Sequence, residues 1–199
     1  MSLTPIPSNE FRRTPWKNGL GHTDQIAIHP PTGDLRRGDY LWRMSTARVA
    51  QSSPFSIFAE HDRVLVILEG QGVRLSHTYE PGEPADVVEL PPLEPYDFPG
   101  DVPTQCDLVD GEIQDFSVFV RKGEVLAQTE LWSADTDETR LWELGARTCL
   151  LFVAKGSVSA GGIEYKTRDA LRVELDSPSE LELRALEPGT RCVLVTLDY

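Results

Sequence analysis

The chain has 199 residues, 40% of them apolar and 26% charged, with a formal net charge of −13. That length allows one sizeable core or two small ones, and the balance of apolar to charged residues excludes a disordered chain. So acidic a chain argues against nucleic acid as a direct partner, because phosphate backbones need clustered Lys and Arg.

No stretch approaches the roughly 20 apolar residues of a spanning helix, and Met1 to Arg13 lacks the apolar segment of a secretory signal. A cytoplasmic protein without a membrane partner is expected.

Helical periodicity is poor, and fifteen Gly with fifteen Pro interrupt the chain repeatedly. Strand signals are abundant. Leu41 to Val49 alternates, with Arg43, Ser45 and Ala47 on one face and Trp42, Met44 and Thr46 on the other. Val64 to Leu68 is a continuous apolar run, as in a strand buried on both faces. Gly72–Ser76, Val87–Leu90, Thr104–Val109 and Phe116–Arg121 follow, separated by turn clusters such as Glu80-Pro81-Gly82, Pro99-Gly100-Asp101 and Asp110-Gly111. Beyond Lys122-Gly123 come Leu126–Trp132, Cys149–Ala154, Ala170–Leu175, Leu181–Leu186 and Cys192–Leu197.

The two parts can be laid on each other. Val64 to Gly70 resembles Leu150 to Gly156, and Phe116–Val120 resembles Cys192–Thr196, at offsets of 76 to 86 residues. Such a repeat suggests duplication, and many short strands at short spacing read as a sandwich or barrel. The expected organisation is all-β, with one barrel over residues 1–122 and a second over 123–199.

Charge and histidine are unevenly spread. Residues 1–77 hold nine Lys/Arg against seven Asp/Glu and all four histidines, so the remainder carries −15. One account is an acidic solubilising surface; the sharper one is an anion site in the first part. Cys106, Cys149 and Cys192 form no CxxC pair and read as buried thiols. No two histidines stand at i, i+2, and residues 123–199 have none, so a metal site of several histidines and a carboxylate is not expected. No cofactor motif is present either.

The candidate site residues lie in the first part. Asn18-Gly19 can turn with positive φ and expose N–H groups, with Lys17 beside them, or it can be a surface turn anchored by Trp16. Arg43 lies mid-strand beside small residues, where a charge needs a partner or a ligand. Arg43 and Arg63 either clamp a carboxylate or form internal ion pairs with Asp62, Glu69 or Asp115. His61 and His22 are candidates for hydrogen bonding or proton transfer, and Phe98 and Phe116 are expected to wall the pocket.

Several blocks resemble the HutD/Ves family. They are Arg13-Thr14-Pro15-Trp16-Lys17-Asn18-Gly19, Trp42-Arg43-Met44-Ser45-Thr46-Ala47, Pro54-Phe55-Ser56-Ile57-Phe58, His61-Asp62-Arg63 leading into Leu68-Glu69-Gly70-Gln71-Gly72-Val73, Phe98-Pro99-Gly100-Asp101, and Leu108-Val109-Asp110-Gly111 with Asp115-Phe116. The resemblance implies a bicupin and a role in sensing an intermediate of bacterial histidine utilisation. Leu20, Gln25 and Ser117 depart from the family's usual Gly, Glu and Asn. Three functions compete: a metal-free binder of a small carboxylate such as urocanate or an N-formyl- or N-formimino-glutamate; an enzyme, isomerase or hydrolase, acting on such an acid; and a regulator acting through a protein partner.

Overall fold

The computed structural model describes residues 1–16 and 21–199. Among them the only helical element is one 3-10 turn at Ser8–Glu10. The strands in chain order are β1 (Ser2–Ile6), β2 (Arg12–Pro15), β3 (His22–His29), β4 (Trp42–Val49), β5 (Ser53–Pro54), β6 (His61–Glu69), β7 (Val73–His77), β8 (Asp86–Leu90), β9 (Tyr96–Pro99), β10 (Thr104–Leu108) and β11 (Ile113–Arg121). They continue with β12 (Leu126–Ala134), β13 (Thr139–Leu144), β14 (Thr148–Lys155), β15 (Ser157–Ala160), β16 (Ile163–Lys166), β17 (Ala170–Glu174), β18 (Ser179–Ala185) and β19 (Thr190–Asp198).

The chain divides into two compact all-β units, one of residues Arg12–Glu124, the other of Met1–Phe11 with Val125–Tyr199. Each consists of two antiparallel sheets. In the first barrel the orders are β2-β3-β4-β11-β6-β9 and β5-β10-β7-β8; in the second they are β1-β17-β14-β19-β12 and β13-β18-β15-β16. Late in the chain this division lies between Glu124 and Val125, where the sequence reading sets 122/123. The N-terminal side differs: β1 pairs antiparallel with β17, from Ser2 opposite Glu174 to Ile6 opposite Ala170. Leu3 packs on the second barrel's core, so apolar contact and the open edge of β17 together hold β1 there.

The repeat read from sequence has a geometric counterpart. In the first barrel, Glu69 pairs with Gln114 while Ile67 pairs with Asp115, so Leu68 is the extra residue of a bulge. In the second, Lys155 pairs with Arg191 and Val153 with Cys192, with Ala154 as the extra residue. The glycine after each bulge has positive φ, 102° at Gly70 and 77° at Gly156. A Cβ there would come within 2.7 Å of Ile113 or 2.5 Å of Thr190, so glycine is required at both positions on steric grounds.

The two barrels fill differently. The second packs Trp132, Trp142, Leu151, Leu171, Leu183 and Leu194 from both of its sheets into one apolar core. In the first, the apolar cluster of Leu65, Ile67, Val73, Leu75, Cys106 and Ile113 occupies only part of the interior. Buried charged groups occupy the rest.

Candidate anion-binding site

Four neighbouring strands build the site by register. Arg43 on β4 lies opposite Phe119 on β11, and Phe119 lies opposite Arg63 on β6. Arg63 lies opposite Phe98 on β9. One step along the same face come Ser45, Ser117, Leu65 and Tyr96, and one step further Ala47, Asp115 and Ile67. Residues directly opposite one another share a face, so Arg43, Arg63, Ser117, Asp115, Phe119 and Phe98 all project to one side of the six-stranded sheet. On β4 the inward row grades from polar to apolar, Arg43, Ser45, Ala47, Val49, while on β11 it runs Phe119, Ser117, Asp115, Ile113. The two arginines therefore lie toward one end of the barrel and the apolar cluster toward the other, with Asp115 two inward-facing steps along from the arginines.

Both arginines are sequestered, Arg43 at 3% and Arg63 at 6% exposure. Arg63 donates through Nη2 to Ser117 Oγ at 3.0 Å and stands 3.6 Å from Asp115 Oδ2. Its guanidinium lies over three rings, Phe55 at 3.9 Å, Phe119 at 5.2 Å and Phe98 at 5.6 Å, a cage that favours a cation out of water. Its Nε is buried and has no hydrogen-bond partner among the described residues. Arg43 donates through Nε to Gln25 Oε1 at 3.0 Å and sits 5.5 Å from the Phe119 ring. No ion pair joins Arg43 to a carboxylate among the described residues.

Asp115 is the one carboxylate buried among these groups. Its Oδ1 accepts the Ala47 N–H at 2.9 Å. Burial nevertheless outweighs the pull of Arg63 and lifts its carboxyl to about 6. Burial also lowers the Arg43 guanidinium to about 10 and depresses that of Arg63. All three shifts share one cause, that this end of the barrel is a costly place to hold charge. At neutral pH two guanidinium groups face one carboxylate there, a local excess of positive charge.

The sequence candidates are distributed unequally around this centre. Arg43, Arg63, Asp115 and Phe98 come together. Phe116 does not: it pairs with Thr46 and Val66 and is buried on the opposite face of the sheet, so the expectation that it walls the pocket is corrected by strand parity. Lys17 and Asn18 lie outside the described residues, as does Leu20. At the edge of that segment, Trp16 donates Nε1–H to Thr23 Oγ1 at 2.9 Å and packs on the first barrel's core. His61 is buried with Nδ1 2.7 Å from Ala59 O and Nε2 3.1 Å from Tyr40 O, so both ring nitrogens are engaged by backbone carbonyls. His22 lies 3.8 Å from Asp24 Oδ2, whose carboxylate is also bound by Arg13. Asp62 and Glu69, the other partners considered for the arginines, are not theirs; Asp62 lies near Lys122.

Sequence reasoning does not single out Phe55, Phe119 or the partner roles of Gln25 and Ser117. For Phe119 and Ser117 a signal exists, since both follow Asp115 at a period of two. His77 is a further residue that sequence reasoning passes over. Thr104 Oγ1 donates to Val102 O, so it accepts from His77 Nδ1–H at 2.9 Å, which leaves Nε2 to accept from the Tyr96 hydroxyl at 3.2 Å. Burial lowers the His77 pKa, consistent with that neutral tautomer.

This architecture, two antiparallel barrels each with an inward-facing core, defines a bicupin. An Escherichia coli pirin, YhhW, solved in complex with nickel(II), matches it with a TM-score of 0.69 over 100% of both chains at 12% identity, a likeness of fold alone. Among the described residues no three His, Cys, Asp or Glu side chains converge, and two guanidinium groups lie on the inward face of the first barrel.

The chain belongs to the HutD family, whose model matches residues 8–193. It is 33% identical over 202 residues, 98% of this chain and 97% of the relative, to an uncharacterised Pseudomonas putida protein from the region 3′ of hutC. It is 27% identical to the protein Ves of Cronobacter sakazakii, over 75% of this chain and 92% of that one. The structure of HutD from Pseudomonas fluorescens SBW25 matches with a TM-score of 0.82 at 27% identity, covering 99% of this chain and 98% of that one.

Proposed function

We propose that this protein is a receptor for a small carboxylate, bound without metal in the first barrel between Arg43 and Arg63, and that it regulates histidine utilisation by sensing an acid of that pathway. Urocanate and N-formyl- or N-formimino-glutamate are the ligands of choice. One observation carries the reading. Two buried guanidinium groups lie on one sheet face with a single carboxylate, paired to Arg63 alone, that itself resists ionisation, and the Arg63 Nε–H has no hydrogen-bond partner among the described residues. A ligand carboxylate supplies the missing acceptor and charge in bidentate geometry. The rings of Phe55, Phe98 and Phe119 give its planar body apolar walls. The family's link to the hut region supports the physiological setting. Three buried cysteines with no disulfide support a cytoplasmic one.

The test is a thermal-shift and calorimetric screen of those acids against the wild type, Arg43→Met and Arg63→Met. A buried Arg–carboxylate pair is worth on the order of 2–5 kcal/mol on truncation. Each variant is therefore expected to lose at least about tenfold in affinity while remaining folded. Undiminished binding of the same acid by both variants would remove the pocket.

A second reading, an isomerase or hydrolase acting on the same acid, draws support from the Tyr96–His77–Thr104 relay, a neutral histidine with a fixed tautomer inside the same barrel. His22 and His61, the sequence candidates for this role, have geometries that do not favour it. Consumption of the bound acid, abolished in His77→Gln, is the outcome that would favour this reading over simple binding.

A further inference from the structure

Tyr40 is 1% exposed, and its hydroxyl is buried without a hydrogen-bond partner among the described residues. An unpartnered hydroxyl in such a place is destabilising unless something supplies an acceptor. The ring cannot easily turn the group elsewhere. It stacks on His61 with centroids 4.2 Å apart and planes inclined by 25°. The imidazole is itself held by its two contacts to the carbonyls of Ala59 and Tyr40. The backbone is pinned as well: the Tyr40 carbonyl also accepts from Arg121 Nε at 3.3 Å, and Leu41 donates its N–H to His29 O at 2.7 Å.

The phenol belongs to the neighbourhood of the arginine centre. Tyr40 stands three residues before Arg43, at the end of the barrel where Arg43, Phe119 and Arg63 lie. Burial pushes the phenol's pKa up to about 12 against the opposing charges of Arg43 and Arg121, so the hydroxyl stays protonated. A protonated phenol with no acceptor is a donor, as are the unpartnered Nε–H of Arg63 and the guanidinium of Arg43. Three donors and one reluctant carboxylate are more than this protein satisfies by itself.

We infer that the Tyr40 hydroxyl is a third ligand-facing donor of the anion site, its ring set by the stack on His61, and that it hydrogen-bonds an oxygen of the bound acid alongside Arg43. This rests on the carboxylate-receptor reading and deepens it, because it requires a ligand end with at least two acceptor oxygens. It also gives His61 a place in the site without any contact to the ligand.

Tyr40→Phe removes the oxygen and keeps the stacked ring. Urocanate and N-formyl-L-glutamate are titrated by calorimetry in parallel into the wild type and Tyr40→Phe, and the melting temperature of each ligand-free protein is recorded. For the acid that the wild type binds, the expected loss is about tenfold in affinity. Meanwhile the free variant melts at the same temperature or higher, because an unpartnered buried hydroxyl has been replaced by an apolar edge. Equal affinity in wild type and variant overturns the role of Tyr40 while leaving the receptor reading intact. A fall in the melting temperature of the free variant overturns it too, since the hydroxyl then serves the fold. If the wild type binds neither acid, the receptor reading fails and this inference fails with it.

Discussion

Replacing Asp115 by asparagine probes the electrostatics of the anion site without a ligand. The carboxyl has an ordinary value of 3.8 and is lifted to about 6 in the folded protein, chiefly by burial. At 1.36 kcal/mol per pH unit, that difference corresponds to about 3 kcal/mol of linked stability. Below the unfolded value the group is protonated in both states. Between 3.8 and about 6 the unfolded chain ionises while the folded protein keeps its proton, so stability falls as pH rises. Above about 6 both states are ionised and the full cost is present. The amide introduced by Asp115→Asn carries no such proton and retains an oxygen for the Ala47 N–H. The difference in unfolding free energy, Asp115→Asn minus wild type, is therefore expected to grow by about 2 kcal/mol from pH 4 to pH 7. The attraction of Arg63 for the ionised carboxyl is already contained in the folded-state value of about 6. Urea unfolding of both proteins across that range measures the difference, in which other titrating groups cancel. A flat difference, or one that shrinks with pH, would show that the carboxylate is held ionised by Arg63 and would refute the dominance of burial.

Strand parity makes a further prediction: Phe98→Leu weakens acid binding by about 1 kcal/mol, roughly fivefold. Phe116→Leu lowers the melting temperature but leaves the affinity of the folded protein unchanged, as calorimetry on both variants would show. Removal of residues 1–7 is expected to destabilise the second barrel by about 2 kcal/mol, through the lost packing of Leu3 and the bared edge of β17. Acid affinity in the first barrel should persist, which hydrogen exchange and calorimetry together can resolve.

Much of the barrel architecture is legible in the sequence because its signals are local. The alternation from Leu41 to Val49 assigns Arg43 to its face without any tertiary information, and the bulge glycines Gly70 and Gly156 mark corresponding points of the repeat. The error over Phe116 comes from reading adjacency as proximity: Asp115 and Phe116 are neighbours in sequence and therefore point to opposite faces of the sheet. The same rule points to Phe119. Gln25 stands out in the sequence only as a departure from the family, and its contact with Arg43 depends on a bulge in β3 between Gln25 and Ala27, which no residue pattern announces. Tyr40 precedes its strand, outside any periodicity, and its burial comes from the stack on a histidine 21 positions away. The assignment of β1 to the second barrel is a choice between two sheet edges, decided by contacts more than 160 residues distant.

That last pairing makes the first barrel an insertion within the sequence of the second. On a ribosome, the opening strand emerges first and has nothing to pair with until β17 is made. Closing so long a loop from an unfolded chain carries an entropy that grows as (3/2)RT ln n. Once residues 12–124 have folded, the intervening chain is compact and the effective loop is much shorter. The first barrel is thus positioned to fold before the strand pairing of β1 with β17 closes.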